Sequence, residues 1–371
     1  MKIFAINPGS TSTKVALFED ETCLFKKTIN HDAEKLAQYE TVIDQIPYRM
    51  EVILAALAEN NIDPDSFECV VGRAGGIYST IGGTYVINPL ILQHARNRMS
   101  GVEHPACLGL LLAHEFAAPK NLPAYSVNPP DTDELQDVAR MTGIRGIYRS
   151  VHLHALNQKE VAFRHAAKLG KHYNECNFIV CHIGGGLSVA AHRNGQMIDG
   201  FDCSGGEGPM APTRCGGISV YDLLRYVNQG HTEKEIRALT ASQGGFVSWL
   251  GTSDTLEVVK KIKAGDKKAE MVWNTMIYQI AKGIGSMAVA LDGKVDAILL
   301  TAGVSNSEDF VEKIKKACSW IAPIAVYPGE FELEAMAAGV LRVLRGEEEP
   351  KYYLGHPVWE GFPWDSKPEL P

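Results

Sequence analysis

Lys2-Ile3-Phe4-Ala5-Ile6-Asn7-Pro8-Gly9-Ser10-Thr11-Ser12-Thr13-Lys14 carries an apolar strand pattern into a turn of small and hydroxyl-bearing residues, then directly into a second strand at 15–18. Near the middle of the chain the arrangement returns: a strand at 178–183, the turn Gly184-Gly185-Gly186-Leu187-Ser188, and a strand at 189–192. Asn194-Gly195, a strong signal for a tight hairpin, then leads into a third strand at 196–199. Two strand–turn–strand units half a chain apart predict a duplicated architecture. The expected boundary falls near 148–154, giving one domain over 1–150, with a tail at 331–371 packing back on it, and a second over 151–330.

Outward from these units, apolar runs at 69–72, 124–127, 297–300 and 325–327 read as buried strands, since they are rich in β-branched and apolar residues and flanked by Gly, Asn or Pro. Helical periodicity is expected over 49–60, 107–116, 155–169, 220–227, 270–291, 307–317 and 331–344, with Gly170 and Gly346 as stops. The mixture predicts an α/β fold with helices covering the sheets. A length of 371 residues suits two domains.

The composition narrows the function. Hydrophobic residues are 45% and charged residues 22%, as in ordinary globular chains. No apolar run reaches the length of a membrane span, and the first residues enter a strand without a signal-peptide pattern, so cytoplasm is the expectation. The formal net charge of −8, without a basic cluster, argues against nucleic acid. Eight scattered cysteines with no C-x-x-C pair, Cys203 among them, argue against a zinc site or a disulfide framework. A polyanion bound to such an acidic chain needs local help from backbone amides and a few placed cations.

Three loops offer that help. In 7–14, Ser10, Thr11, Ser12 and Lys14 supply donors around a turn whose backbone amides can form a concave anion site. It is not a Walker A loop, because the spacing differs and a strand follows. In 182–188 the three consecutive glycines are costly to order, which is reasonable where the backbone must approach a ligand closely. In 300–307 a strand ends in small residues before a helix already supplied with Glu308 and Asp309, so the neutral part of a nucleotide suits it better than phosphate.

Taken in order, these turns together with Gly72-Arg73-Ala74-Gly75-Gly76, His154-Ala155-Leu156-Asn157 and Gly206-Glu207-Gly208-Pro209-Met210-Ala211-Pro212-Thr213-Arg214-Cys215-Gly216-Gly217 resemble the butyrate kinases. These sit with the acetate kinases in the acetokinase family, within the sugar kinase, Hsp70 and actin superfamily. The resemblance runs from residue 1 to about 346. It implies two ribonuclease-H-like, actin-like domains around a nucleotide cleft, ATP and Mg²⁺ as cofactors, and phosphoryl transfer to a short-chain fatty acid. It also implies a homodimer or higher homo-oligomer. By the resemblance, Arg73, Arg214 and His154 are catalytic. Asn7 and the hydroxyls after it, with His182, Gly184, Gly185 and Gly186, hold phosphate. Thr301, Gly303 and Asn306 lie in the adenosine loop. Glu332, with Glu330 close behind, is the metal-binding glutamate.

A carboxylate is already ionised at neutral pH and needs no general base. The enzyme must instead screen the charge of the transferring phosphoryl group, a task for arginine, imidazole, amides and a metal. One departure stands out: Asn128 takes the place of a metal-supporting aspartate, with Asp131 and Asp133 close by as possible substitutes. Met210 and Cys215 depart from the aromatic residue and serine more usual in the family, which points to a reshaped acyl pocket. The alternatives are an acetate or propionate kinase, a nucleotide- or acyl-phosphate-binding regulator without turnover, and an actin-like filament protein.

Overall fold

The computed structural model describes residues 1–365 apart from 102, 103, 151 and 203, so Cys203 and the last residues of the expected tail lie outside the described set. The described chain divides into two compact units, one of Met1–Asp133 with residues 331–365, the other of Glu134–Glu330.

In the first unit β1 (Lys2–Pro8), β2 (Ser12–Glu19) and β3 (Thr22–Asn30) form an antiparallel meander. β4 (Cys69–Gly72) adds parallel to β1 on its other side, and β6 (Ala124–Val127) adds parallel to β4. β5 (Thr84–Val86) and a short strand at Lys351–Tyr352 extend that edge to seven strands. β1 and β4 are buried on both faces, which explains their unbroken apolar sequence. β3 is a solvated edge strand with alternating exposure, and its Lys26 and Lys27 suit an edge that must not pair further. The helix Leu108–Ala117 lies against β4, where a Cβ on Gly72 would collide with the Gly109 carbonyl and one on Gly109 with the Arg73 backbone. That close approach fixes where Arg73 leaves the strand.

The second unit repeats the plan. β7 (Asn177–Ile183), β8 (Leu187–Arg193) and β9 (Gln196–Gly200) form the meander. β10 (Ala297–Ala302) and β11 (Ile324–Pro328) add parallel in turn, giving the order β11-β10-β7-β8-β9. Asn194 and Gly195 both adopt positive φ, 49° and 84°, as a two-residue hairpin turn of this kind requires. The long helix Lys267–Ala290 packs its apolar side on this sheet through Trp273, Met276, Ile280 and Ile284.

The boundary differs from the sequence reading. Residues 134–150 belong to the second unit, because Glu134 forms a buried ion pair with Lys159 at 2.8 Å and accepts the Met197 N–H. Each unit also borrows its closing helix. Ala155–Lys168, which follows the first sheet in sequence, packs on β7 and β10, while Glu332–Leu344, which follows the second, packs on β1 and β6. Among the described residues, no helix is long and apolar enough to cross a membrane, and the described cysteines are free thiols.

Behind the 9–12 turn sits a buried polar knot. Fully buried Arg49 donates to the Thr13 hydroxyl at 2.8 Å and to Gln45 Oε1 at 2.8 and 3.1 Å, and Thr13 also meets His31 Nε2 at 2.8 Å. Burial, and then the Arg49 charge, lowers the His31 pKa to about 4. A histidine held neutral in the fold stabilises fully above its unfolded pKa of 6.5, and that contribution is lost as pH falls from there towards 4. The ceiling is about 3 kcal/mol. His31→Gln should therefore flatten the fall in melting temperature between pH 6.5 and 4; an unchanged slope would show that His31 is not a source of acid lability.

Candidate active site

In the second unit, β7 ends at His182 and Ile183 and the chain reverses through Gly184–Gly186 into β8, with the Gly184 N–H donating to the Gly186 carbonyl at 2.9 Å. None of these three glycines has positive φ. Gly186 is needed for space: a Cβ there would collide with Arg214 Nη1 and lie 3.3 Å from His154 Nε2. Gly185 faces open space, and its carbonyl accepts the Thr213 hydroxyl at 3.0 Å. Turn, arginine and histidine thus meet at one point.

Arg214 occupies a tight turn in which Ala211 N–H donates to the Arg214 carbonyl at 3.0 Å. The turn is pinned from behind by Gly244 and Gly245. Gly244 donates to the Thr213 carbonyl at 3.0 Å, and a Cβ on Gly245 would strike the Ala211 carbonyl. Arg214 Nε and Nη1 are buried without a hydrogen-bond partner. A buried cationic donor left unmatched is costly, and an anion at this spot would satisfy it.

His154 stands just before the helix Ala155–Lys168. Its ring stacks on that of buried His182, with centroids 3.8 Å apart and planes 5° from parallel. His154 Nδ1 lies 2.7 Å from Ser188 Oγ, and His182 Nδ1 lies 3.0 Å from Asn157 Oδ1. Asn157 Oδ1 also accepts from Thr301 Oγ1 at 3.2 Å, which ties the end of β10 to this cluster. Gly303 and Asn306 follow in a single 3₁₀ turn, exposed, with Asn306 Nδ2 donating to the Gly303 carbonyl at 2.9 Å.

A second constellation lies in the first unit. Asn7, at the end of β1, donates through Nδ2 to Glu332 Oε2 at 2.6 Å, and Arg73 Nη1 pairs with Glu332 Oε1. Arg73 Nε is buried without a partner. Glu332 opens the helix Glu332–Leu344, whereas Glu330 is exposed and belongs to the second unit. Glu332, and not Glu330, therefore joins Asn7 and Arg73. Ser10 and Thr11 are exposed at the tip of the turn closed by the Gly9–Ser12 bond of 2.7 Å, and Ser12 and half-buried Lys14 begin β2.

The surroundings of three further residues named from the sequence are also defined. Asn128 has φ of +40°, a conformation asparagine tolerates, and its Oδ1 accepts the Gly83 N–H at 2.8 Å. The residue shapes a turn, and this bond occupies one of the two lone pairs of its carbonyl oxygen. Met210 is buried in the main core of the second unit, and Cys215 is half-buried, its thiol pKa raised by burial.

Sequence reasoning passed over Gln158, Ser188 as a hydrogen-bonding group, and the Gly244-Gly245 pair. The first two had a signal: Ser188 and His192 alternate on one face of an apolar strand, and Asn157 and Gln158 follow His154 at helical spacing. Buried polar groups so placed must find one another.

A model of the acetokinase family matches residues 136–322. A probable butyrate kinase of Clostridium botulinum (strain Alaska E43 / Type E3) is 44% identical over 353 residues, covering 95% of this chain and 99% of that protein. Another, from strain Eklund 17B / Type B, is 43% identical over the same coverage. Among solved structures, the acetate kinase of Porphyromonas gingivalis aligns with a TM-score of 0.77 at 21% identity, over 93% of this chain and 99% of that one. A propionate kinase from Francisella tularensis subsp. tularensis SCHU S4 aligns at 0.72 and 19%, over 91% and 98%. At these identities the two structures speak for the actin-like fold.

Proposed function

The chain belongs to the acetokinase family, and on that footing we propose that it transfers the terminal phosphoryl group of ATP to a short-chain fatty acid of butyrate size, yielding an acyl phosphate and ADP. It is a carboxylate kinase, a phosphotransferase. The choice of a four-carbon acid follows the names carried by its relatives.

The observation that carries the reading is the pair of buried, unmatched nitrogens of Arg214, Nε and Nη1, beside Gly186 and His154. Phosphoryl transfer spreads negative charge over the equatorial oxygens, and donors fixed in advance stabilise that charge most. In this reading Arg214 and His154 donate to the transferring group, and the Gly184–Gly186 turn holds the phosphate chain, the internal bond of Gly184 shaping the turn and the amides of Gly185 and Gly186 facing the phosphates. Thr301, Gly303 and Asn306 form the adenosine side. From the first unit, Asn7, Arg73 and Glu332 serve the same reaction, with the hydroxyls of Ser10, Thr11 and Ser12 and the Lys14 amine as further phosphate donors. Because the carboxylate nucleophile is ionised, no residue is asked to remove a proton.

The residues also fit a magnesium ion. Among the described residues no three acidic, His or Cys side chains cluster as a ready cage. Magnesium commonly needs only one or two protein carboxylates beside substrate phosphates and water, and Glu332 would supply one. When bound, the ion would neutralise phosphate charge. The same reading carries a cytoplasmic location and a homodimer or higher assembly.

The test is hydroxamate trapping with ATP, Mg²⁺ and hydroxylamine against C2 to C5 carboxylates. Trapping that peaks at C4 is expected. A peak at C2 or C3 would redirect the substrate assignment. ATP binding without any trapped product, restored by Asn128→Asp, would replace the enzyme by a regulator.

A further inference from the structure

Behind His154 runs a line of buried polar side chains whose hydrogen bonds all point one way. Gln158 Nε2 lies 3.3 Å from the Ser188 carbonyl, which can only accept, so the amide NH₂ faces Ser188 and Oε1 faces away. Oε1 then meets His192 Nε2 at 2.9 Å, so that nitrogen carries the His192 proton. Burial, reinforced by the Lys159 charge, keeps His192 neutral, which leaves Nδ1 as an acceptor for the buried Tyr173 hydroxyl at 2.7 Å. In the other direction, Ser188 Oγ receives Gln158 Nε2 at 2.7 Å and the His154 backbone N–H at 3.4 Å. Both lone pairs of the hydroxyl are then taken, and its proton is directed to His154 Nδ1 at 2.7 Å.

We infer that Ser188 and Gln158 are positioning residues that hold His154 as the Nε2–H tautomer, aiming a neutral hydrogen-bond donor at the point where Gly186 and Arg214 meet. His192 and Tyr173 complete the line and fix its direction. The ring of His154 is held in place by its stacking on His182. This deepens the proposed function and rests on it, because a donor at Nε2 matters only if phosphate charge develops there. A neutral donor adds a hydrogen bond without adding a second desolvated cation beside Arg214.

Nitrogen-15 NMR of histidine-labelled protein tests the tautomer directly, the His154 signal being assigned by its disappearance in His154→Gln. The expected spectrum has the proton on Nε2. A proton on Nδ1, or on both nitrogens at neutral pH, would overturn the inference without any variant. Ser188→Ala removes the group that directs the ring; the Nδ1–H form should then become populated and kcat should fall about tenfold or more, part of the loss expected for a misdirected donor. KM for ATP and for butyrate should stay within a few-fold. A Ser188→Ala protein that keeps both the wild-type tautomer and the wild-type kcat would also overturn it, and if this variant does not fold, the wild-type spectrum still decides. Full activity in His154→Gln would refute instead the role given to His154 in the reaction, a separate failure from a wrong tautomer.

Discussion

Arg214→Ala should lower kcat for acyl phosphate formation by at least about two orders of magnitude, the scale of removing one charge-stabilising donor, while the protein melts no earlier than wild type. The two halves of this result have one cause. Nε and Nη1 of Arg214 are buried with no partner, so the side chain contributes nothing there that its removal would forfeit. The turn that carries it is held by backbone bonds to Gly244 and through Gly245, independent of the side chain. Arg214→Lys should recover little, since an ammonium cannot reproduce the planar fork. Hydroxamate trapping and thermal melts measure both halves. A variant within a few-fold of wild type in kcat would remove Arg214 from the reaction.

For Glu332→Gln we expect a loss of kcat of about a hundredfold, again on the scale of one electrostatic contact in the transition state, with a higher Mg²⁺ concentration at half-maximal rate. The amide keeps an oxygen to accept from Asn7 or Arg73 but loses the charge that both face. Glu332→Ala goes further, stranding the Arg73 guanidinium, whose side chain is only 14% exposed, and should cost about 1–3 kcal/mol of stability. Because Arg73 and Glu332 are in direct contact, Arg73→Ala and Glu332→Ala should be far from additive in a double-mutant cycle. Additive effects on activity, or a Mg²⁺ dependence unchanged in Glu332→Gln, would sever Glu332 from the metal.

Much of the fold was legible because local signals agreed with the final packing. The glycine turns, the Asn194-Gly195 hairpin and the apolar strands at 69–72 and 178–183 are all set by short-range chemistry. β3 escaped because an exposed edge strand lacks an apolar run, its polar alternation resembling a loop. The helix Glu233–Ala241 escaped although Thr232 and Glu235 form a full capping box, since it buries none of its residues and so carries no core pattern. Among the candidate residues, Arg73 in the first unit and Arg214, His154 and His182 in the second stood out as rare cations and rings amid glycines. Gln158 and Ser188 did not, because their importance lies in which way a hydroxyl and an amide point, and that emerges only from contacts across β8 and the neighbouring helix. The preference for Glu332 over Glu330 likewise depends on helical phase at a chain crossing, which spacing alone leaves open.

The exchange of closing helices bears on how the polypeptide matures at the ribosome. β1 and β6 emerge early, yet the segment Glu332–Leu344 that shields them is synthesised only after every strand of the second sheet. Until then a broad apolar flank of the early sheet stays wet, a state prone to association and a natural client for chaperones. The later sheet is spared this wait, as Ala155–Lys168 is translated before the strands it covers. A chain truncated after residue 330 and released should therefore protect 178–328 from protease while leaving 1–133 open to cleavage.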